Sequence, residues 1–179
     1  MSPEARPWRL AALALAASPL AACGLQPMYA DGASGAVVHN IGAVTISPIE
    51  GKAGYLVRNA LADRLDAAGT STPRYRLDVR LDEKLTGMIV QSDDSVSRER
   101  RVMRARYQLV DLSTGAIMLD STADADAGID IVSSEYAVIA AEQTAQENLG
   151  QDIANQIVTR VATRLRQENR GKREAGKPR

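Results

Sequence analysis

Phenylalanine is absent from this 179-residue chain, aromatic residues make up 3% of it, and it has one tryptophan, one cysteine and one histidine. A hydrophobic core must therefore be built from Leu, Val, Ile, Ala and a few Tyr. With only His39 and Cys23 available, there is no basis for a His/Cys metal cluster or a Cys–His nucleophilic pair. A Ser/His/Asp arrangement would have to use His39, which stands in a tether-like stretch among Gly and Ala. The acidic pairs Asp93/Asp94 and Asp124/Asp126 are what a hydrolase would have to use. They fall in a turn and on a strand face, where carboxylates are ordinarily solvated, and no Gly-rich or aromatic segment forms a pocket around them. We therefore expect no enzyme activity, no cofactor, no metal and no catalytic residue. An excess of charge is missing too: 22 basic residues face 22 acidic ones, so nothing demands nucleic acid as a partner.

The front of the chain is the most distinctive part. Arg6 and Arg9 precede an uncharged run, Leu10 to Ala22, rich in Leu and Ala. That run is shorter than the roughly 20 apolar residues a membrane-crossing helix needs, so it reads as a removable signal peptide, residues 1–22. Leu20, Ala21, Ala22, Cys23 and Gly24 resemble the lipobox of bacterial lipoprotein precursors. Small residues at 21 and 22 admit extended backbone to a peptidase, and the Cys23 thiol is the nucleophile soft enough to take a thioether-linked diacylglycerol. As the sole cysteine, Cys23 has no disulfide partner within the chain. We expect it to be the lipidation site, with two or three acyl chains giving stable attachment. Gly24 in place of the Asp that commonly signals inner-membrane retention in enteric bacteria favours the periplasmic face of the outer membrane.

The remaining 157 residues carry 20 basic and 21 acidic groups and suit one domain. Residues 23–42 read as a lipidated, Gly- and Ala-rich tether, 43–169 as the folded domain, and 170–179 as a charged flexible tail. Ala43 to Ile49 is a short strand stopped by Pro48. Leu56, Val57, Ala60, Leu61, Leu65 and Ala68 recur at helical spacing, with Gly69 as C-cap. Arg74 to Asp82 alternates charged and apolar residues and continues toward Val90 past an irregularity at Gly87. After a polar loop, Gln91–Ser97, Met103, Ala105, Tyr107 and Leu109 alternate with Arg104, Arg106 and Gln108. Ser113 to Gly115 turns the chain into Ile117 and Leu119. A tight turn there sets Arg106 opposite Asp120 and Arg104 opposite Thr122. Ser133 and Ser134 cap a long helix reaching about Asn169, with Leu149, Ile153, Ile157, Val161 and Leu165 at four-residue steps. Those steps do not alternate three and four, so the stripe suits packing on the chain's own sheet more than a coiled coil. The expected fold is an α/β two-layer sandwich in the order strand-helix-strand-strand-strand-helix, with a mostly antiparallel four-stranded sheet covered on one face by two helices.

The opening Cys23, Gly24, Leu25, Gln26, Pro27, Met28, Tyr29 is similar to the Cys-Gly-Phe-x-Pro-Leu-Tyr start common in the lipopolysaccharide-assembly lipoprotein family LptE, departing from it at Leu25, Met28 and, in the next position, Ala30. The order of elements resembles that family too. The resemblance implies a non-enzymatic lipoprotein that plugs the outer-membrane β-barrel LptD, assists its assembly and helps deliver lipopolysaccharide to the outer leaflet. An auxiliary outer-membrane lipoprotein of a phospholipid-trafficking ABC transport system is the alternative. The basic stretch Arg98, Arg100, Arg101, Arg104 and Arg106 either contacts lipopolysaccharide phosphates or acidic barrel residues, or forms a solvated face balanced by Asp120, Asp124 and neighbouring acids. The loop Gln91–Ser97 is a further candidate for barrel contact.

Overall fold

A computed structural model describes residues 41–69, 71–90 and 96–176. Its elements are β1 (Val44–Ile46), α1 (Gly51–Asp66), β2 (Tyr75–Val90), β3 (Val96–Asp111), β4 (Ile117–Asp130) and α2 (Glu135–Ala175). The sheet order is β1-β2-β3-β4, with β1 parallel to β2 and the other pairs antiparallel. The parallel pair needs a crossover, and α1 supplies it. The fold class and the element order match the expectation from sequence.

Period-two alternation sorts the residues of β2, β3 and β4 onto two faces. Tyr75, Leu77 and Val79, then Met103, Ala105, Tyr107 and Leu109, then Ala123 turn toward the helices and are buried. Val57, Leu61 and Leu65 of α1 meet them, as do Leu149, Ile153, Ile157, Val161 and Leu165 of α2, all within one core cluster. Both helices therefore lie on one face, and among the described residues no element covers the other, open face.

Several boundaries move. Ile41 is 2% exposed and belongs to the core, so the folded body begins inside the stretch read as tether. A Cβ on Gly42 would stand 1.9 Å from the carbonyl oxygen of Gly69, so the chain enters the sheet against the end of α1, where Gly69 takes φ +89°. β3 starts at Val96 and extends the hairpin with β2 well beyond the alternation around Met103. Residues 91–95 of the expected loop lie outside the described residues. α2 runs on to Ala175, through residues read as the start of a flexible tail. Its N-cap is Ser134, whose hydroxyl accepts the Ala137 amide at 3.4 Å.

The β3–β4 register needs a correction: Arg104 lies opposite Asp124 and Arg106 opposite Thr122, two residues from the expected pairing. The turn is one residue longer than assumed, closing with Asp111 N–H on the Ala116 carbonyl at 3.0 Å. Continued unchanged, that pairing would set odd positions opposite even ones and bury the wrong side of β4. An irregularity between Val110↔Ile117 and Leu109↔Leu119, with Met118 as the extra residue, restores the parity.

The end of the sheet that the chain enters first is fastened by side chains. Arg74 reaches Asp111 at 3.9 Å and Glu168 at 3.7 Å, and the Tyr75 hydroxyl donates to Glu168 at 3.2 Å, tying the last turns of α2 to the start of β2. Burial, followed by the nearby Glu168 charge, pushes the Tyr75 hydroxyl up to about 12.

Candidate functional site

The open face of the sheet is a ladder of charge. β3 contributes Arg98, Arg100, Arg104 and Arg106 at alternate positions, interrupted by Val102, and β4 contributes Asp120, Asp124, Asp126 and Asp130. Arg98 pairs with Asp130 at 3.4 Å, Arg100 with Asp126 at 3.0 Å and Arg106 with Asp120 at 3.0 Å, and Gln108 also donates to Asp120 at 2.8 Å. The hydrogen bonds from Arg106 and Gln108 hold the Asp120 carboxyl below the usual range, and the hydrogen bond and charge of Arg100 do the same for Asp126. Arg104 stands between Asp82 of β2 and Asp124 of β4 in register, with no ion pair within 4 Å among the described residues. On the other side of the arginine column, β2 alternates Arg76, Asp78, Arg80, Asp82 and Lys84 along its length.

Arg101 is not part of this ladder. Its odd position sends it to the helix side, where its side chain is 15% exposed and reaches Glu83 of β2 at 3.7 Å and Glu142 of α2 at 3.6 Å. Gln146, buried on α2, donates to both oxygens of Glu83, at 3.3 and 3.2 Å. Arg101 thus ends the core as a polar clamp between β2, β3 and the early turns of α2. The five arginines that sequence proximity groups together are in fact divided between two faces. Glu83, Glu142 and Gln146 were not singled out from sequence. The signal was present in the adjacent charges Asp82 and Glu83, which break the alternation of β2 where apolar packing ends.

Cys23 and the peptide around it lie outside the described residues, as does His39. No helix among the described residues is long and apolar enough to cross a membrane.

The family model described as "LptE: Lipopolysaccharide-assembly" matches residues 41–161, which is most of the folded body. The chain belongs to the LptE family. The match starts after the Cys23–Tyr29 opening, so it is independent of the residues that carried the resemblance in the sequence. A crystal structure of a protein from Caulobacter crescentus assigned as a lipoprotein is 28% identical, with a TM-score of 0.63, covering 75% of this chain and 98% of that one. The minor lipoprotein from Acinetobacter baumannii shares the fold at 14% identity and a TM-score of 0.52, covering 67% and 90%. Lipoprotein B from Nitrosomonas europaea does so at 13% identity and 0.51, covering 66% and 79%. No curated protein matches the sequence. As an LptE-family member, the chain is a lipopolysaccharide-assembly lipoprotein of the outer-membrane type, in a family without enzymatic activity.

Proposed function

We propose that this chain is anchored by acyl groups on Cys23 after removal of residues 1–22, faces the periplasm from the outer membrane, and acts as a plug and assembly partner of an LptD-type β-barrel that delivers lipopolysaccharide. The family match across residues 41–161 carries this reading. Physical fit supports it. A barrel lumen is polar and hydrated, and the open sheet face offers it arginines and aspartates that exchange water for polar partners at little cost. A tether starting at Cys23 keeps the body at high local concentration beside its partner.

Within this reading, Arg98 and Arg100, at the end of the sheet away from the N-terminal side, are the arginines placed to meet lipopolysaccharide phosphates or acidic barrel residues, with Arg104 and Arg106 farther down the same face. Their carboxylate partners are exposed, and exposed ion pairs contribute little, so a phosphate can replace Asp130 or Asp126. Arg101, held by two glutamates on the helix side, serves the fold instead.

Affinity purification of the tagged lipoprotein from detergent-solubilised envelope should recover an LptD-type barrel in stoichiometric amount. Recovery of a phospholipid-trafficking ABC system in its place would favour that alternative and overturn the proposal.

A further inference from the structure

The two edges of the sheet are treated differently. At the β4 edge, α2 covers the outward backbone: Gln156 Nε2 donates to the Asp124 carbonyl at 2.9 Å, Arg164 Nε to the Met118 carbonyl at 2.7 Å, and Arg160 to the Ser121 hydroxyl at 2.7 Å. At the other edge, β1 pairs with β2 only over Tyr75–Leu77 and makes its last bond from Ser47 N–H to the Leu77 carbonyl at 3.0 Å. The chain then leaves through Pro48. Beside β2 it opens a cleft of about 770 Å³ whose lining includes Ser47, Pro48, Val79, Arg80, Leu81 and Arg106. Tyr75 N–H and the Leu77 carbonyl both point outward, so the alternation of the ladder sends the backbone groups of Val79, Leu81 and Glu83 outward as well. No strand pairs with them among the described residues.

Three of the charges along this edge are also without ion-pair partners among the described residues, whereas Asp78 already accepts from Ser47 and Arg76. Arg80 lies opposite Arg106, a like charge already paired with Asp120. Arg80, Asp82 and Lys84 make no ion pair within 4 Å among the described residues. A strand added here would have to bring a carboxylate to Arg80 and a cation to Asp82.

We propose that the β2 edge pairs with the β2 edge of a second copy of this chain, antiparallel about a two-fold axis at Leu81. In that register Arg80 faces Asp82 of the partner subunit and Asp78 faces Lys84 of the partner subunit, each pair occurring twice, while Leu81 faces its symmetry mate. Parity holds, since the outward-facing odd residues meet odd residues and the charged side chains of both copies share the open face. Sliding by two residues one way sets Arg80 on Arg80, and the other way sets Asp82 on Asp82, so charge selects the register. The overlap spans only the short stretch between β1 and the hairpin end. It is small beside the roughly 800 Å² per partner of a standard interface, so the dimer is a weak, concentration-dependent one. Isologous pairing of this kind closes at two copies. The inference concerns the free lipoprotein, before a single copy enters a barrel, and absence of a barrel from the purification leaves it intact.

Sedimentation of the native lipoprotein in detergent tests it, over a dilution series and at low and high salt. A dimer that dissociates on dilution and weakens with salt is expected. Arg80→Asp should give monomer at every concentration. Lys84→Asp should do the same, each with an unchanged circular dichroism spectrum. Combining Arg80→Asp with Asp82→Arg should restore the dimer. Monomer throughout, a dimer indifferent to Arg80→Asp, or a double variant that stays monomeric would each overturn the proposal, the last by showing that the edge takes a different strand.

Discussion

Two glycines in the helix layer have opposite tolerances, and backbone proximity decides which. A Cβ at Gly54 would meet the Ile49 carbonyl oxygen at 2.6 Å and its carbon at 2.7 Å, atoms fixed where the chain turns from β1 into α1. Gly54→Ala should therefore cost about 1–3 kcal/mol through overpacking. At Gly150 a Cβ would meet Leu56 Cβ at 3.5 Å, ordinary contact between α1 and α2. Gly150→Ala should raise stability by about 0.5–1 kcal/mol through helix propensity, and urea denaturation of both variants checks the contrast. Carboxylates set the response to acid. Asp111, held by hydrogen bonds from the Ser113 hydroxyl and amide, lies below its ordinary range, as do Asp120 and Asp126; for Asp78, burial acts upward but the hydrogen bonds from Ser47 and Arg76 and nearby arginine charge outweigh it. Since the folded values lie below the unfolded one of about 3.9, the unfolded chain binds more protons as pH falls. The stability these groups contribute is present above about pH 4 and is lost below it, as pH falls through the folded values. Urea midpoints measured from pH 6 to 2 should be level at first and then drop, with a shallower drop in Asp120→Asn.

At the scale of elements, α2 is held in two ways. From Leu149 to Leu165 its four-residue stripe is fully buried, whereas its first turns carry the exposed Tyr136 and Ile139 and depend on the polar clamp of Arg101, Glu83, Glu142 and Gln146. Arg101→Ala should cost about 1–3 kcal/mol, because it leaves two part-buried glutamates without their cation. Hydrogen exchange should accelerate at residues 135–146 and stay unchanged at 153–165. The clamp escaped sequence reading because Arg101 belongs by spacing to a run of arginines and by parity to the opposite face. The helices, the sheet order and the buried stripes were legible, because each follows from a period of apolar residues that the chain states repeatedly. The β3–β4 register was legible in parity alone. Its value depends on a bulge at Met118, and an isolated extra residue leaves no mark in the apolar pattern. The start of β3 inside the expected loop and the extension of α2 escaped for a related reason: Val96 and Ser97 adjoin a charged run and Arg170–Ala175 is too polar to show a period, and they are held by strand pairing and by continuation of an established helix.

As a whole, the molecule is elongated and open on one side. β2 and β3, at 16 residues each, extend about 50 Å, and the 41 residues of α2 about 60 Å. α1 and β1 cover only the part of β2 nearest the N-terminal side, leaving the far end of the hairpin to project with the exposed Leu85 and Met88. A body of this shape, carrying a charged sheet face along its side, suits insertion into a polar lumen more than enclosure of a substrate. Residues that read as least structured, Cys23 to Tyr29, were the most informative for the family, and the folded body then carried the family match on its own. The charged face could be anticipated from alternation, and parity alone sets Arg101 apart from Arg98, Arg100, Arg104 and Arg106; the carboxylates that Arg98, Arg100 and Arg101 meet on β4 and α2 could not, since they lie more than twenty residues away. Depletion of this lipoprotein in the native organism, followed by quantitation of folded barrel and surface lipopolysaccharide, tests the proposed role in assembling a lipopolysaccharide-delivering barrel. Both should fall together as the protein is lost; normal levels of both after depletion would rule that role out.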